Sequence, residues 1–257
     1  DVGELGRVKL SANWMAPCGV PGEDARLYAT VAAVSDLCKA LGVSIPVGKD
    51  SLSMRTAWEE DGEKKQVVSP LSLIVTAFAP VDDVRRTLTP QLRTDCGESE
   101  LLLLDLGKNR LGGSALAQVY NATGSDAPDL DDPTRLKGLF DAVQRLKREG
   151  LVLAYHDRSD GGLFAAACEM AFAGHCGVTL DLDGLCYDPL LHDVDGNEKK
   201  PDLLGGRSFE LLVRALFNEE LGALIQTRRA DRERITPVLR ACGVTYHFVG
   251  HPNTADE

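Results

Sequence analysis

Little in this sequence suits a membrane or a secretory route. No apolar run approaches the roughly 18 residues that would span a bilayer, and the first residues, DVGELGRVKL, lack the basic-then-apolar order of a leader. A cytoplasmic chain without a membrane partner is the expectation. Basic charge is also scarce, with 28 Lys and Arg against 39 Asp and Glu and a formal net charge of −11. That balance disfavours nucleic acid as a partner, and any anionic ligand must be captured locally, through magnesium or a helix N-terminus. Cysteines number seven, an odd count with no CxxC pair, so neither a zinc site nor a disulfide framework is indicated. Most are expected to be small buried residues in a reducing compartment. The five histidines show no HExxH spacing and no serine sits in a GxSxG elbow, which leaves metal-dependent proteolysis and serine hydrolysis unsupported.

What the chain does contain is alternating helix and strand patterning over 257 residues, enough for one large or two compact domains. Leu27, Val31, Val34, Cys38 and Leu41 fall at helical spacing before the stop at Gly42. Val43 to Val47 is a short apolar stretch running into a loop, Gly48-Lys49-Asp50-Ser51, and Val67 to Val81 reads as one long strand with Pro70 near its start. The polar segment 82–99 separates a first unit, residues 1–95, from a second, 96–257. In the second, Leu101 to Leu106 reads as a buried strand and Leu111 to Tyr120 as a helix. Asp132 and Pro133 cap and open another helix that closes before Gly150. Leu151 to Tyr155 reads as a strand feeding a helix that ends near Ala173. Phe209 to Ala215, Leu221 to Thr227 and Thr245 to Val249 read as strands, with a helix at 231–242 interrupted by Pro237. Residues 187–207 read as a polar surface insertion. The fold class is α/β (α+β), a sheet covered by helices.

Several motifs invite a chemical reading. The stretch GVSIPVGKDS has five residues between its glycines and Asp50 after Lys49, so it is not a Walker loop. By itself Gly48 to Ser51 is balanced between a tight turn and a ligand contact. Asp193, Asp195 and Asn197 imitate a calcium loop, but Glu198 and Leu204 stand at its sixth and twelfth positions, so that reading fails. Gly112-Gly113-Ser114 is a weak anion-site candidate set against close packing. The segment His156-Asp157-Arg158-Ser159-Asp160-Gly161-Gly162 lies between strand and helix, where an aspartate with a hydroxyl suits a magnesium–nucleotide complex. The competing reading is that Asp157 or Asp160 caps the helix.

Taken together, RVKLSANWMAPCGVPGEDARLY, IPVGKDSLSMRT, SPLSLIVTAFAPVDDVRRTLTPQL and AYHDRSDGGLFAAACEMAFAGHCGV resemble the large single-chain phosphoribosylformylglycinamidine synthases, and FNEELGA continues the likeness. That family converts formylglycinamide ribonucleotide, ATP and glutamine to formylglycinamidine ribonucleotide, ADP, phosphate and glutamate. Its synthetase region has two halves, each like aminoimidazole ribonucleotide synthetase, and this chain resembles the later part of the second. The resemblance implies a mixed sheet with packed helices in two subdomains, the first N-terminal-type and the second C-terminal-type. It implies Asp157 as a magnesium ligand at an auxiliary nucleotide site and Ser159 as a contact to ATP or ADP. It likens Gly48-Lys49-Asp50-Ser51 to a Gly-Asn-x-Ser loop, with Gly48 toward the nucleotide and Ser51 and Lys49 toward the substrate. Lys49 replaces a metal-ligating Asn, so it suits phosphate better than magnesium. The family's glycine-rich nucleotide segment, its other magnesium-ligating carboxylates, the histidine of the first half and the glutaminase Cys-His-Glu set are absent from these motifs. No residue here is therefore assigned to glutamine hydrolysis. The implied partners are formylglycinamide ribonucleotide, ATP, and the first synthetase half and glutaminase domain of the same polypeptide. The chain by itself is expected to be an inactive fragment. Two other readings stand beside this one: a structural nucleotide-binding half without turnover, and another ATP-dependent synthetase or kinase of the same superfamily.

Overall fold

A computed structural model describes residues 1–188 and 207–254, in two compact units, Asp1–Asp82 and Asp83–Glu257. The expected insertion lies almost entirely outside the described residues, as do Asp193, Asp195 and Asn197.

The first unit is built on a three-stranded sheet in the order β2-β1-β5. Strand β1 (Lys9–Met15) runs parallel to β2 (Ser44–Ser51) and antiparallel to β5 (Ser72–Phe78), a mixed sheet. Helix α1 (Glu23–Leu41) makes the parallel crossover and stops at Gly42, whose φ of 73° frees its N–H and that of Val43 to close the last turn on Lys39 and Cys38. Of its apolar stripe only Leu41 is buried; Leu27, Val34 and Cys38 are half-buried and Val31 is exposed. The expected long strand at 67–81 is two strands. Residues up to Val68 belong to β4 (Glu63–Val68), which pairs with β3 (Arg55–Glu60) across an Asp61-Gly62 turn, whereas β5 pairs with β1. Pro70, lacking an N–H, falls between them. Both turn residues have positive φ, 54° and 78°, the hairpin geometry that Asp-Gly favours.

The second unit is a five-stranded sheet, antiparallel throughout, in the order β7-β9-β6-β10-β8. Its central strand β6 (Ser99–Asp105) carries Leu101 to Leu104 consecutively, and all four are buried because helices cover both faces. Leu102 and Leu104 meet α3 (Pro133–Arg148) and α7 (Arg232–Ala241), with Leu139, Leu146, Ile235 and Leu239. Leu101 and Leu103 face α4 (Gly162–Gly174) through Leu163, Ala167 and Met170. The remaining strands are β7 (Ala154–Asp157), β8 (Gly177–Leu180), β9 (Gly222–Arg228) and β10 (Tyr246–Asn253); β8 follows directly on α4. Asp132 caps α3 by accepting the Thr134 N–H at 2.8 Å, with Pro133 in its first turn. Helix α2 (Ala115–Val119) is much shorter than the stretch 111–120 suggests, since Gly112 and Gly113 bond backbone carbonyls of Asp126 and Thr123 instead. Short α5 (Asp183–Cys186) precedes α6 (Arg207–Phe217).

The segment 209–215 is helical, against the expectation of a strand. Its apolar residues continue at Leu212, Ala215 and Leu216, and it packs on α4, with the Phe164 and Phe217 rings 5.5 Å apart. An i,i+4 pair, Glu210 and Arg214 at 2.8 Å, supports it. All seven cysteines are free, but only Cys176 is buried, so the expectation of mostly buried thiols is corrected. No helix among the described residues is long and apolar enough to cross a membrane.

Candidate functional site

The sequence-derived candidates fall in two places, one in each unit. In the first unit, Gly48 to Ser51 are not a loop but the second half of β2, opposite Ala12, Asn13, Trp14 and Met15 of β1. Lys49 and Ser51 share one face of the strand, and the Lys49 ammonium donates to the Ser51 hydroxyl at 2.9 Å and to the Asp50 carbonyl at 3.2 Å. Gly48 has a structural reason to be glycine, because a Cβ there would lie 2.2 Å from the Ala12 carbonyl oxygen. The close approach is to the neighbouring strand.

In the second unit, β7 ends at Asp157 and the chain turns through Arg158, Ser159 and Asp160 into α4. The turn is held from beneath by Arg158, whose side chain is 1% exposed. Its Nε donates to the Glu220 carbonyl at 2.8 Å, and its Nη2 to the Asp105 carboxylate at 2.6 Å and the Leu221 carbonyl at 3.1 Å. Nη1 is buried without a partner among the described residues. Its backbone N–H donates to Gly222 at 2.9 Å, and Gly222 must be glycine because a Cβ would lie 2.5 Å from the Leu104 carbonyl.

Two further groups complete the support. His156 places Nδ1 2.7 Å from the Asp157 carbonyl and Nε2 2.6 Å from the Glu169 carboxylate. Glu219 Oε1 accepts both the Gly161 N–H at the head of α4 and the Ala115 N–H at the head of α2, each at 2.8 Å. Beside it, Glu220 is completely buried and paired with Arg110 through Nε at 2.7 Å and Nη2 at 2.8 Å. Burial would raise the Glu220 carboxyl, but its hydrogen bonds from Arg110 outweigh that and hold it below the usual glutamate range. Sequence reading passed over Arg158, Glu219 and Glu220 as functional support. The polar triplet Asn218-Glu219-Glu220, two of its residues acidic, between apolar segments and within the FNEELGA stretch, was the available signal for the two glutamates.

Three residues of the turn are exposed, Asp157, Ser159 and Asp160. Helix α4 has no side-chain cap, so neither Asp157 nor Asp160 is engaged as one. The Asp157 carboxylate takes no hydrogen bond or ion pair among the described residues, and it lines a cavity of about 530 Å³ with Leu88, Phe140 and Tyr155. Tyr155 is pushed up to about 12, first by burial and then by the charge of Asp157. A free, hard oxygen donor on a fixed turn fits a magnesium ligand. No group of three or more His, Cys, Asp or Glu able to hold a metal occurs among the described residues, so this unit offers one carboxylate rather than a complete metal site. The Gly112-Gly113-Ser114 candidate resolves as packing: a Cβ at Gly112 would lie 2.6 Å from the Asp126 carbonyl.

Residues 98–254, most of this second unit and more than half of the chain, match the family model described as AIR synthase related protein, C-terminal domain. The chain belongs to this AIR synthase related family. Residues 1–80 match a second model, the FGAR-AT PurM_N-like domain. Solved structures similar to this AIR synthase related chain include T. maritima PurL complexed with ATP, at 15% identity over 97% of this chain and 34% of that one, with a TM-score of 0.58. T. maritima PurL complexed with FGAR is similar at 14% identity over 97% and 37%, TM-score 0.60. The E. coli hydrogenase maturation protein HypE is similar at 21% identity over 96% and 67%, TM-score 0.58. At these identities the likeness is one of fold. The chain spans about a third of the length of the PurL structures.

Proposed function

We propose that this chain is the later part of the second synthetase half of a large single-chain phosphoribosylformylglycinamidine synthase. Within the whole polypeptide it would serve the ATP-dependent conversion of formylglycinamide ribonucleotide and glutamine-derived ammonia to formylglycinamidine ribonucleotide. The reading is carried by one observation, the succession in a single chain of a match to the FGAR-AT PurM_N-like domain and a match to the AIR synthase C-terminal domain. The first synthetase half and the glutaminase domain would be its partners on the same polypeptide.

In this proposal the N-terminal-type subdomain extends to about residue 95. The Asp157 carboxylate contributes one magnesium ligand and the Ser159 hydroxyl contacts the nucleotide phosphates. Magnesium, when bound, would offset the charge of the polyphosphate. Arg158, Glu219 and His156 hold the turn so that Asp157 is presented without rearrangement, which lowers the cost of ordering on binding. Lys49 and Ser51 face the substrate side: the ammonium acts as a point charge toward phosphate and orients the Ser51 hydroxyl at 2.9 Å. The substrate amide oxygen is activated by phosphoryl transfer from ATP, and ammonia then displaces phosphate.

A second reading is favoured by the coverage of HypE, 67% of whose chain is matched: another ATP-dependent synthetase of the same superfamily. The deciding experiment is ADP formation by the full-length protein with formylglycinamide ribonucleotide, with and without glutamine or ammonia. Dependence on both supports the amidine synthase, whereas indifference to the nitrogen donor sinks it. Ser51→Ala, which removes the hydroxyl while leaving the strand, is expected to lower turnover without changing the melting temperature. If instead the auxiliary site is structural, Asp157→Asn lowers the melting temperature of the nucleotide-loaded protein before it lowers turnover.

A further inference from the structure

Four buried polar side-chain atoms have no partner among the described residues: Asn13 Oδ1, Glu23 Oε2, Arg158 Nη1 and Thr227 Oγ1. Of these, Asn13 Oδ1 belongs to the strand beside Lys49 and Ser51. Strands β1 and β2 pair Asn13 with Lys49 and Met15 with Ser51, and residues paired in register share a face of the sheet. On its other side Asn13 pairs with Ile74 of β5, which has no side-chain donor. Lys49 has three N–H donors and uses two, on the Ser51 hydroxyl at 2.9 Å and the Asp50 carbonyl at 3.2 Å. An orphaned acceptor thus stands one strand spacing, about 4.8 Å, from a residue whose ammonium is bonded elsewhere. A buried acceptor without a donor costs folding free energy, so a second state that supplies the donor recovers what the first forgoes.

We infer that Asn13 is a positioning residue for the Lys49–Ser51 pair: when a substrate N–H takes the Ser51 hydroxyl oxygen, the Lys49 ammonium crosses to Asn13 Oδ1. This rests on the reading that Lys49 and Ser51 face the substrate, and adds the residue that frees one of them. In the ligand-free protein the ammonium occupies Ser51 Oγ, so an incoming donor must displace it. Leaving Ser51 costs the ammonium a charge-assisted hydrogen bond, and Asn13 Oδ1 returns one of the same kind. The flexible four-carbon stem of lysine spans the move, because the two residues stand directly opposite. Its charge stays on the same face of the sheet throughout.

The test is calorimetric titration of the full-length protein with formylglycinamide ribonucleotide, for wild type, Asn13→Leu, Ser51→Ala and the double variant. The melting temperature of each is taken without ligand. Asn13→Leu keeps the size of the side chain and removes the acceptor. Its affinity is expected to fall about tenfold, because the ammonium then stays on Ser51. Combined with Ser51→Ala, which has no hydroxyl to free, it is expected to add no further loss. The melting temperature of Asn13→Leu is expected to equal or exceed that of wild type, since the acceptor removed had no donor in the ligand-free state. A merely structural asparagine would lower it. Wild-type affinity in Asn13→Leu, or losses that multiply in the double variant, overturns the inference and leaves the functional reading intact. So does a lower melting temperature in both Asn13→Leu and Asn13→Ala, the second variant guarding against a leucine that does not pack. Absence of binding to wild type overturns both.

Discussion

At Glu220, burial and charge pull the carboxyl in opposite directions, and the guanidinium of Arg110 wins. The side chain is 0% exposed and accepts from the Arg110 and Lys108 backbone N–H groups as well as from the Arg110 side chain. Because its folded pKa is depressed, it contributes stability that is present above its unfolded value, about 4.3, and lost as pH falls below it. Urea unfolding followed from pH 7 down to about 3 is therefore expected to show a declining midpoint, and Glu220→Gln to flatten that decline. Removing the carboxylate altogether by Glu220→Ala takes from the buried Arg110 its nearest counter-charge, leaving Asp131 at 3.2 Å, and is expected to cost about 3 kcal/mol in the same measurement. The Asp157 carboxylate behaves oppositely, being exposed and without a hydrogen bond or ion pair among the described residues, so Asp157→Asn is expected to leave the ligand-free unfolding free energy within about 0.5 kcal/mol of wild type. That contrast separates the side chains that build the site from the one presented by it.

Elements in this chain are set by whichever face is covered. Strand β6 reads as a buried strand from its unbroken leucines because both sides meet helices; Leu103→Ala is expected to cost about 2–5 kcal/mol by chemical denaturation. Helix α3 was equally legible, since its capping aspartate, its proline and its terminal basic residues all act locally. The GKDS segment was not. Its polar composition suggests a loop, and it is held extended by a parallel partner, β1, about 36 residues away through a crossover helix. Residues 209–215 read as a strand only because the window was short: over Arg207–Phe217 the apolar residues Phe209, Leu212 and Leu216 recur at helical spacing, and packing on α4 covers that helix. The head of α4 adds a backbone constraint, because Gly162 has φ 70° and a Cβ there would lie 2.6 Å from the Leu216 carbonyl. Gly162→Ala is expected to lose about 1–3 kcal/mol and to weaken nucleotide binding through displacement of the turn.

For the whole molecule, the two units differ in how well they bury their own apolar residues. The second has cores on both sides of its sheet. The first leaves consecutive residues Ile74 and Val75 of β5 57% and 44% exposed, so both faces of that strand are open, and Val47 and Phe78 are exposed as well. Residues 1–82 expressed separately are expected to bind a hydrophobic dye and to self-associate on gel filtration, unlike residues 83–257; a monomeric, dye-free first unit would contradict this. Sequence alone determined the buried strands, the capped helices, the acidic balance and the HDRSDGG turn, because each depends on composition or on spacing within a few residues. Tertiary structure alone decided that GKDS is a strand and that Glu219, from a loop 58 residues beyond Gly161, occupies the head of α4. These depend on which distant surfaces come into contact, and local pattern carries no record of that.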